Sequence, residues 1–409
     1  VPLRPASILV AAALIALAAL GGFAAFRYGP DLFALPSLRL IDARIKDRQF
    51  ERATRLAERL TRTDPRDPRV WYALARARAG AGDLEGSIEA LRRIPDWSPR
   101  KADAHFFEGK ALLELKRGRQ AESAFRACIE HDASGSGLGV NARLELLALY
   151  AMEERTDEFR QVFGDVYPRL DAADRLAVLT MRMRLDYEQT KPETNAENLR
   201  QFVASDPRDA HARAGYAAAL DKGGRLDDAR REYLRAVADA PDSIQIRERA
   251  IDLLHRQGDV DGVARLLSER GLGSDGRPEI CKFLAMNAQS SGQVELEIQL
   301  LQQAAQLSPE SPEYKHRLAQ ALIRDGRKDE AAQVAAERAR LGEAREALRL
   351  AWNDFATAYE ADPQRIDADL LHKLAVACRS AGLEREAEAW SREADQIQSS
   401  AQDPKPRRQ

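Results

Sequence analysis

The stretch from Asp209 to Asp242, DAHARAGYAAALDKGGRLDDARREYLRAVADAPD, decides the fold. It reads as two short amphipathic helices joined by a turn over Lys222-Gly223-Gly224-Arg225-Leu226-Asp227. Tyr216 and Leu220 stand four apart on the first helix, and Ala229, Tyr233 and Ala236 follow at helical spacing on the second. Ala217, Ala229 and Ala236 supply small side chains where the helices approach each other, and Pro241 ends the second helix because it lacks the N–H the ladder needs. So short a pair cannot bury its apolar face alone; it requires copies of itself on either side.

The copies are present and in phase. Moving 34 residues along converts Tyr216, Ala217, Leu220 and Ala229 into Ala250, Ile251, Leu254 and Val263. Further steps give Leu284, Ala285, Ala288 and Glu297, then Leu318, Ala319, Leu322 and Ala331. A second series near the N-terminus keeps the same period, with Leu74, Ala75, Ser87 and Leu91 followed by Glu108, Gly109, Ala121 and Phe125. Prolines 65, 99, 207, 241 and 309 close successive pairs. With Trp71 as aromatic opener, Gly109 as the small residue, and the Ala-x3-aromatic steps Ala121/Phe125 and Ala229/Tyr233, the pattern resembles the tetratricopeptide repeat. That resemblance implies an all-α, right-handed α-solenoid of stacked helix-turn-helix pairs, and the apolar run near the N-terminus adds the expectation of one transmembrane helix before it.

Composition agrees with an array of exposed amphipathic helices: 31% of residues are charged and 6% aromatic. The formal net charge of −2, from 63 basic and 65 acidic residues, provides no general field for nucleic acid, and no nucleic-acid partner is expected. Cys128, Cys281 and Cys378 lie far apart and are expected as small apolar core residues rather than a disulfide or metal set.

Ile8 to Phe26, ILVAAALIALAALGGFAAF, are 19 uncharged residues, enough for a helix to cross a bilayer core. Arg4 precedes the run, and Arg27-Tyr28 follow at headgroup level. A retained anchor over 8–28 is the expectation; a cleaved signal, with Gly22-x-Ala24 as its small-residue site, is the alternative. Arg4 and the terminal amine favour an inside N-terminus and an extracytoplasmic array, whereas Arg27, Arg39, Arg44 and Lys46 favour the reverse. Most of the latter belong to the first folded repeat, which tips the expectation toward the extracytoplasmic side.

The organisation expected along the chain is a short tail (1–7), the anchor (8–28) and a Pro-containing spacer (29–37). An N-terminal repeat segment (38–139) and degenerate repeats (140–208) follow. The in-phase segment (209–343) precedes an extra helix and a capping repeat (344–398) and a polar, disordered tail (399–409). In the degenerate part the turn at Arg155-Thr156-Asp157 reads as compressed, and these repeats are expected to bend the array. The extra helix is placed over Ala344 to Tyr359, and Glu384, Glu386, Glu388 and Arg392 are expected to give the last pair a polar outer face. Gly135, Gly137 and Gly139 follow an amphipathic helix rather than a strand, so they read as a joint between repeats and not as a phosphate cradle.

No catalytic constellation emerges. The six histidines form no H-E-x-x-H, there is no C-x-x-C pair and no G-x-S-x-G elbow, so neither an enzyme nor a metal or cofactor is expected. In the family this sequence resembles, the first helices of successive pairs line a concave groove that receives a peptide or partner helix. The corresponding positions are Tyr72 and Arg76, Phe106 and Lys110, His211 and Asp221, Glu248 and Asp252, Lys282 and Met286, and His316 and Gln320. Tyr72, Arg76, Phe106 and Lys110 would place two aromatics and two cations in one patch, area and charge together. The family's clamp for a C-terminal carboxylate leads with Lys and Asn, where this chain has Tyr72 and Arg76.

The function expected from the resemblance is that of a membrane-anchored scaffold or adaptor that binds a protein or peptide partner. The architecture resembles that of bacterial cell-envelope proteins in which one anchor in the inner membrane carries a repeat array to assemble or regulate a complex. The alternative is a permanent structural subunit of a secretion, pilus or polysaccharide-export machine. One envelope type adds a zinc ribbon of paired cysteines, which the solitary Cys378 does not supply.

Overall fold

Each hairpin begins and ends where local chemistry dictates. Asp67 accepts a hydrogen bond from the Arg69 N–H (2.8 Å) and Pro68 occupies the first helical position, so the helix Pro68–Gly80 starts there. Asp209 likewise accepts from the Ala212 N–H (3.1 Å) and opens Ala210–Lys222. The partner helix Leu226–Asp239 stops just short of Pro241. Between the two helices of a pair, the chain turns through a residue with positive φ. Gly224, Gly258, Gly292 and Gly326 take this place at φ +70° to +84°, spaced by the repeat length.

The computed structural model describes residues 37–132, 137–187, 192–268, 277–363 and 365–402. Among these there are helices and turns and no strand. None of these helices is long and apolar enough to cross a membrane. The expected tail, anchor and nearly all of the spacer lie outside the described residues, as do the first half of the glycine run (134–136) and positions 403–409.

The chain divides into two units, Val1–Leu149 and Tyr150–Gln409. In the first, helix 37–46 (α1) is followed by α2 (Phe50–Thr63), α3 (Pro68–Gly80), α4 (Leu84–Arg92), α5 (Lys101–Glu114) and α6 (Gly118–His131). The helix α7 (Leu138–Met152) carries the division between the units. Ile41, Ala53, Ala57, Leu74, Leu91 and Ile94 form a continuous buried seam through the early pairs. Gly109 is small because a Cβ there would lie 2.6 Å from the Phe125 ring, the close approach expected of that repeat position.

The second unit opens with α8 (Thr156–Val166), a single 3-10 turn (Tyr167–Arg169), α9 (Ala172–Tyr187) and α10 (Pro192–Ser205). Regular pairs follow: α11 (Ala210–Lys222) with α12 (Leu226–Asp239), α13 (Ile244–Arg256) with α14 (Val260–Ser268), and α15 (Pro278–Ser290) with α16 (Val294–Leu307). Next come α17 (Pro312–Arg324), α18 (Lys328–Ala361), α19 (Ala368–Ser380) and α20 (Glu384–Gln402). Residues of the in-phase series occupy one core: Ala217, Leu220, Ala229, Ala250, Ile251 and Leu254 are buried together, with Tyr216 packed against them. Glu297, which takes the place of Ala229 two repeats on, is also buried, its charge met by Arg324.

Four sequence expectations need correction. The turn at the start of the second unit is Glu153-Glu154-Arg155, the same length as Ala81-Gly82-Asp83 and so not compressed; Glu154 takes the positive φ (58°), as Arg48 and Lys116 do in the first unit, where the later turns use glycine. The break expected at 343 is absent. α18 runs unbroken for 34 residues, because no proline interrupts it and Gly342, alone in a run of good helix formers, cannot end it. The last helix continues to Gln402, past the expected start of the tail at 399.

The last pair is not left with four outward-facing charges. Glu384, Glu388 and Arg392 are exposed, but Glu386 meets Arg182 of α9 at 3.1 Å. α9 brings Leu179 and Met183 into the same buried core as Leu348, Trp352, Phe355, Leu374 and Trp390. Beside them the carboxylate of Glu393 accepts from the Tyr167 hydroxyl (2.9 Å) and from Arg175 (2.6 Å). The start of the second unit therefore packs on its end.

Candidate functional site

The returning segment also encloses a cavity. Its volume is about 700 Å³, and its walls come from the first helices of successive pairs, from the start of α8, and from the turn that follows α16. α11 contributes Asp221; α13 contributes Glu248, Arg249, Asp252 and Arg256; α15 contributes Lys282 and Phe283. From the opposite side come Thr156, Asp157 and Arg160 of α8. Helical spacing explains the shared face, since positions 245, 248, 249, 252 and 256 fall along one stripe of α13.

The charges inside are matched in pairs. Arg256 donates to Asp221 and to Asp252 (3.1 Å to each), and Lys282 lies 3.6 Å from Asp252 and 3.5 Å from Glu313. The Lys282 ammonium also stands 4.6 Å from the centre of the Phe283 ring. Arg277 spans the cavity, donating to Glu248 (3.0 Å) and to Asp157 (2.7 Å). Glu248 is 8% exposed, and one of its carboxylate oxygens has no hydrogen-bond partner. Burial pushes its carboxyl up to about 7, against the opposing pull of Arg277 and with a further push from Glu279. Tyr233, deeper in the wall, has its hydroxyl pushed above the ordinary tyrosine range by burial.

Four of the residues expected in a groove, Asp221, Glu248, Asp252 and Lys282, thus line one cavity. Met286 does not: it lines a smaller neighbouring cavity of about 330 Å³ with His255, Val260 and Val263. His211, in the first turn of α11, stands outside both linings. His316 and Gln320 are exposed and bond to each other at 3.1 Å. Periodicity did not single out Lys222, Arg249, Arg277 or the Glu153–Asp157 turn, because it identifies a face of the array and not what stands across from it. The recurring cations of α13 and α15 were visible as residue types, without that partner.

In the first unit, Tyr72, Arg76 and Lys110 do come together, around a cavity of about 120 Å³. The second aromatic is Phe107 and not Phe106: the Tyr72 and Phe107 rings meet edge to face, 6.0 Å apart. One residue is about 100° of helix rotation, which turns Phe106 toward Phe125 instead. Both cations already have partners, Arg76 in Asp42 and Lys110 in Glu145, each at 2.7 Å. Arg100 covers the Tyr72 ring at 4.8 Å.

The three cysteines are buried free thiols, and burial pushes those of Cys128 and Cys378 up to about 12, far from the thiolate a nucleophile or ligand requires. Among the described residues no group of three or more His, Cys, Asp or Glu is arranged to hold a metal.

The sequence matches the tetratricopeptide-repeat family over residues 38–104, 180–244 and 219–262. No curated protein matches it in sequence. Among solved structures it is similar to MamA residues 41–end from Desulfovibrio magneticus RS-1, at 17% identity, over 42% of this chain and 97% of that one, with a TM-score of 0.33. It is similar to pilF of Pseudomonas aeruginosa, at 16% identity, over 56% and 97%, with a TM-score of 0.35. A third is YrrB, described as a TPR protein with an unusual peptide-binding site, at 17% identity, over 51% and 95%, with a TM-score of 0.31. At such scores these likenesses say nothing about what the chain binds. The helix pairs, their turn glycines and the family match agree over the matched stretches: residues 38–104 and 180–262 are built from tetratricopeptide-type repeats.

Proposed function

We propose that the chain is a scaffold that binds a protein partner through a peptide segment received in the cavity of the second unit. The observation that supports this reading is the make-up of that cavity. Its walls include the first helices of three successive repeats, which present cations and carboxylates together with the Phe283 ring, and Tyr233 of α12 adds a second aromatic. Such a lining offers hydrogen bonds and ion pairs along an extended backbone rather than one deep apolar hole for a small molecule. The Tyr72–Phe107 patch of the first unit offers a second, shallower contact of the aromatic-and-cation kind.

Residues 8–28 hold this scaffold in a membrane as a single-pass anchor, in this reading the inner membrane of a bacterium, with the repeats on the extracytoplasmic side and a cell-envelope complex as the client. That part rests on the sequence, on the 19 uncharged residues and their flanking Arg4 and Arg27.

The test uses the tagged full-length chain extracted in mild detergent, with companions identified by mass spectrometry. A companion is expected at fixed stoichiometry and is expected to be lost with Arg249→Glu. A companion retained in full by Arg249→Glu rules out the cavity. The anchor is tested by carbonate washing of membranes: the full chain stays in the pellet, and release of the intact chain overturns it.

A further inference from the structure

One wall of the cavity comes from a distant part of the same chain. The turn Glu153-Glu154-Arg155 and the start of α8 lie against α11, α13 and α15, far along the sequence from their own neighbours. Arg249 donates to the backbone carbonyls of Glu153 (3.2 Å) and Glu154. Lys222 meets the Glu154 carboxylate at 2.7 Å, and Arg277 meets that of Asp157 at 2.7 Å. The seat is shaped for backbone: a Cβ on Gly215 of α11 would lie 2.9 Å from the Cα of Glu153, closer than real Cβ atoms come. Gly215 does for this turn what Gly109 does inside its own repeat.

The turn is also preformed. Arg155 is 5% exposed, pairs with Glu153 (3.2 Å) and Glu158 (2.9 Å), and stacks 4.4 Å from the centre of the Tyr150 ring. Glu154 holds a positive φ, where the later turns of this unit use glycine, and so brings a carboxylate to Lys222.

We propose that the face of α11, α13 and α15 beside this cavity is a site for acidic peptide segments, that the chain's own Glu153–Asp157 turn is seated on it, and that a partner binds by displacing this turn. The proposal rests on the scaffold reading above and names the chemistry of its partner. Asp221 and Asp252 of the wall are answered by Arg256 and Lys282, within the array. Lys222 and Arg249 are answered from the turn, by the Glu154 carboxylate and two carbonyls, and Arg277 divides its guanidinium between Asp157 of the turn side and Glu248 of the array. Withdrawing the turn strips Lys222 and Arg249 of these partners and leaves Arg277 with Glu248 alone, next to about 700 Å³ of open cavity. An incoming segment with acidic side chains replaces them like for like. The internal copy competes at high effective concentration, so the affinity seen by an outside peptide is reduced by the fraction of time the turn is seated.

The probe is a fluorescein-labelled peptide of residues 151–160, AMEERTDEFR, titrated against the full-length chain in detergent micelles and read by anisotropy. The double variant Glu154→Lys/Asp157→Lys reverses the turn's charge and leaves the cavity cations intact. It is expected to bind the peptide at least tenfold more tightly than the wild type, with an affinity that falls as salt rises. Arg249→Glu in that background is expected to abolish binding. If the wild type and double variant bind equally well through Arg249, self-occupancy is overturned while the cavity stands as a binding site. If binding persists unchanged with Arg249→Glu, the cavity reading itself is overturned. If neither chain binds, the acidic-peptide proposal is overturned, and the companion assay decides the scaffold reading separately.

Should the double variant lose its helical circular dichroism, hydrogen exchange on the wild type gives an independent answer. Saturating peptide is expected to strip protection from amides 156–160, and a scrambled peptide is not. Protection left unchanged by the bound peptide refutes displacement.

Discussion

At the scale of single residues, Glu248 shows how burial and pairing compete. Its carboxyl is raised from near 4.5 to about 7 because burial outweighs Arg277. A raised carboxyl means that the folded chain prefers the neutral form. The stability this supplies is complete below about pH 4.5 and is lost as the pH climbs through 7. Glu248→Gln keeps the shape and removes the titration. Expected is little difference from wild type at pH 4.5 and a gain on the order of 2 kcal/mol at pH 8, read from urea midpoints at both pH values. A variant less stable than wild type at pH 8 contradicts the assignment. The repeat period alone points Glu248 into a groove, since it falls on the inner stripe of α13 with Asp252. It cannot say that Arg277 and Asp157 close over it, because those contacts cross from a different repeat and from the opposite wall.

Elements were the most legible level. Asp67, Asp209, Pro241 and the turn glycines mark helix ends by mechanisms that act within a few residues, so a local reading of the sequence reaches them. α18 escaped that reading because the repeat demanded a boundary that no residue enforces. Its two ends belong to different cores, Ala331 to one and Leu348, Trp352 and Phe355 to another. Between them positions 335–340 are exposed, as in a helix that bridges two packed regions. Gly342 sits in this bridge with nothing within 4 Å of where a Cβ would go. Gly342→Ala is therefore expected to stabilise by about 0.8–1 kcal/mol through helix propensity alone, raising the thermal midpoint by about 2–4 °C in a circular dichroism melt. A lowered midpoint is incompatible with a helix that passes straight through 342.

On the scale of the whole second unit, the departure from an open array carries the largest consequence. In an open solenoid each repeat touches only its neighbours, and damage stays local. Here α9 and the C-terminal pair share one core, although they lie some two hundred residues apart in sequence. No period relates Leu179 to Trp390, and both are apolar residues on helical stripes like dozens of others, so sequence alone does not pair them. The degenerate repeats were legible as irregular; what the irregularity serves was not. Trp390 is fully buried in this shared core, with its ring edge-on to Phe355 at 4.9 Å. Trp390→Ala opens a cavity there and is expected to cost about 3–5 kcal/mol. Its distinguishing mark is where the loss shows. Hydrogen exchange is expected to report faster opening in α19 and α20, and also at 176–183 of α9, while α11 to α14 keep wild-type protection. An array that merely ends at α20 would fray there and leave α9 untouched. Protection at 176–183 that survives the substitution means that the two ends of the second unit do not hold each other in solution.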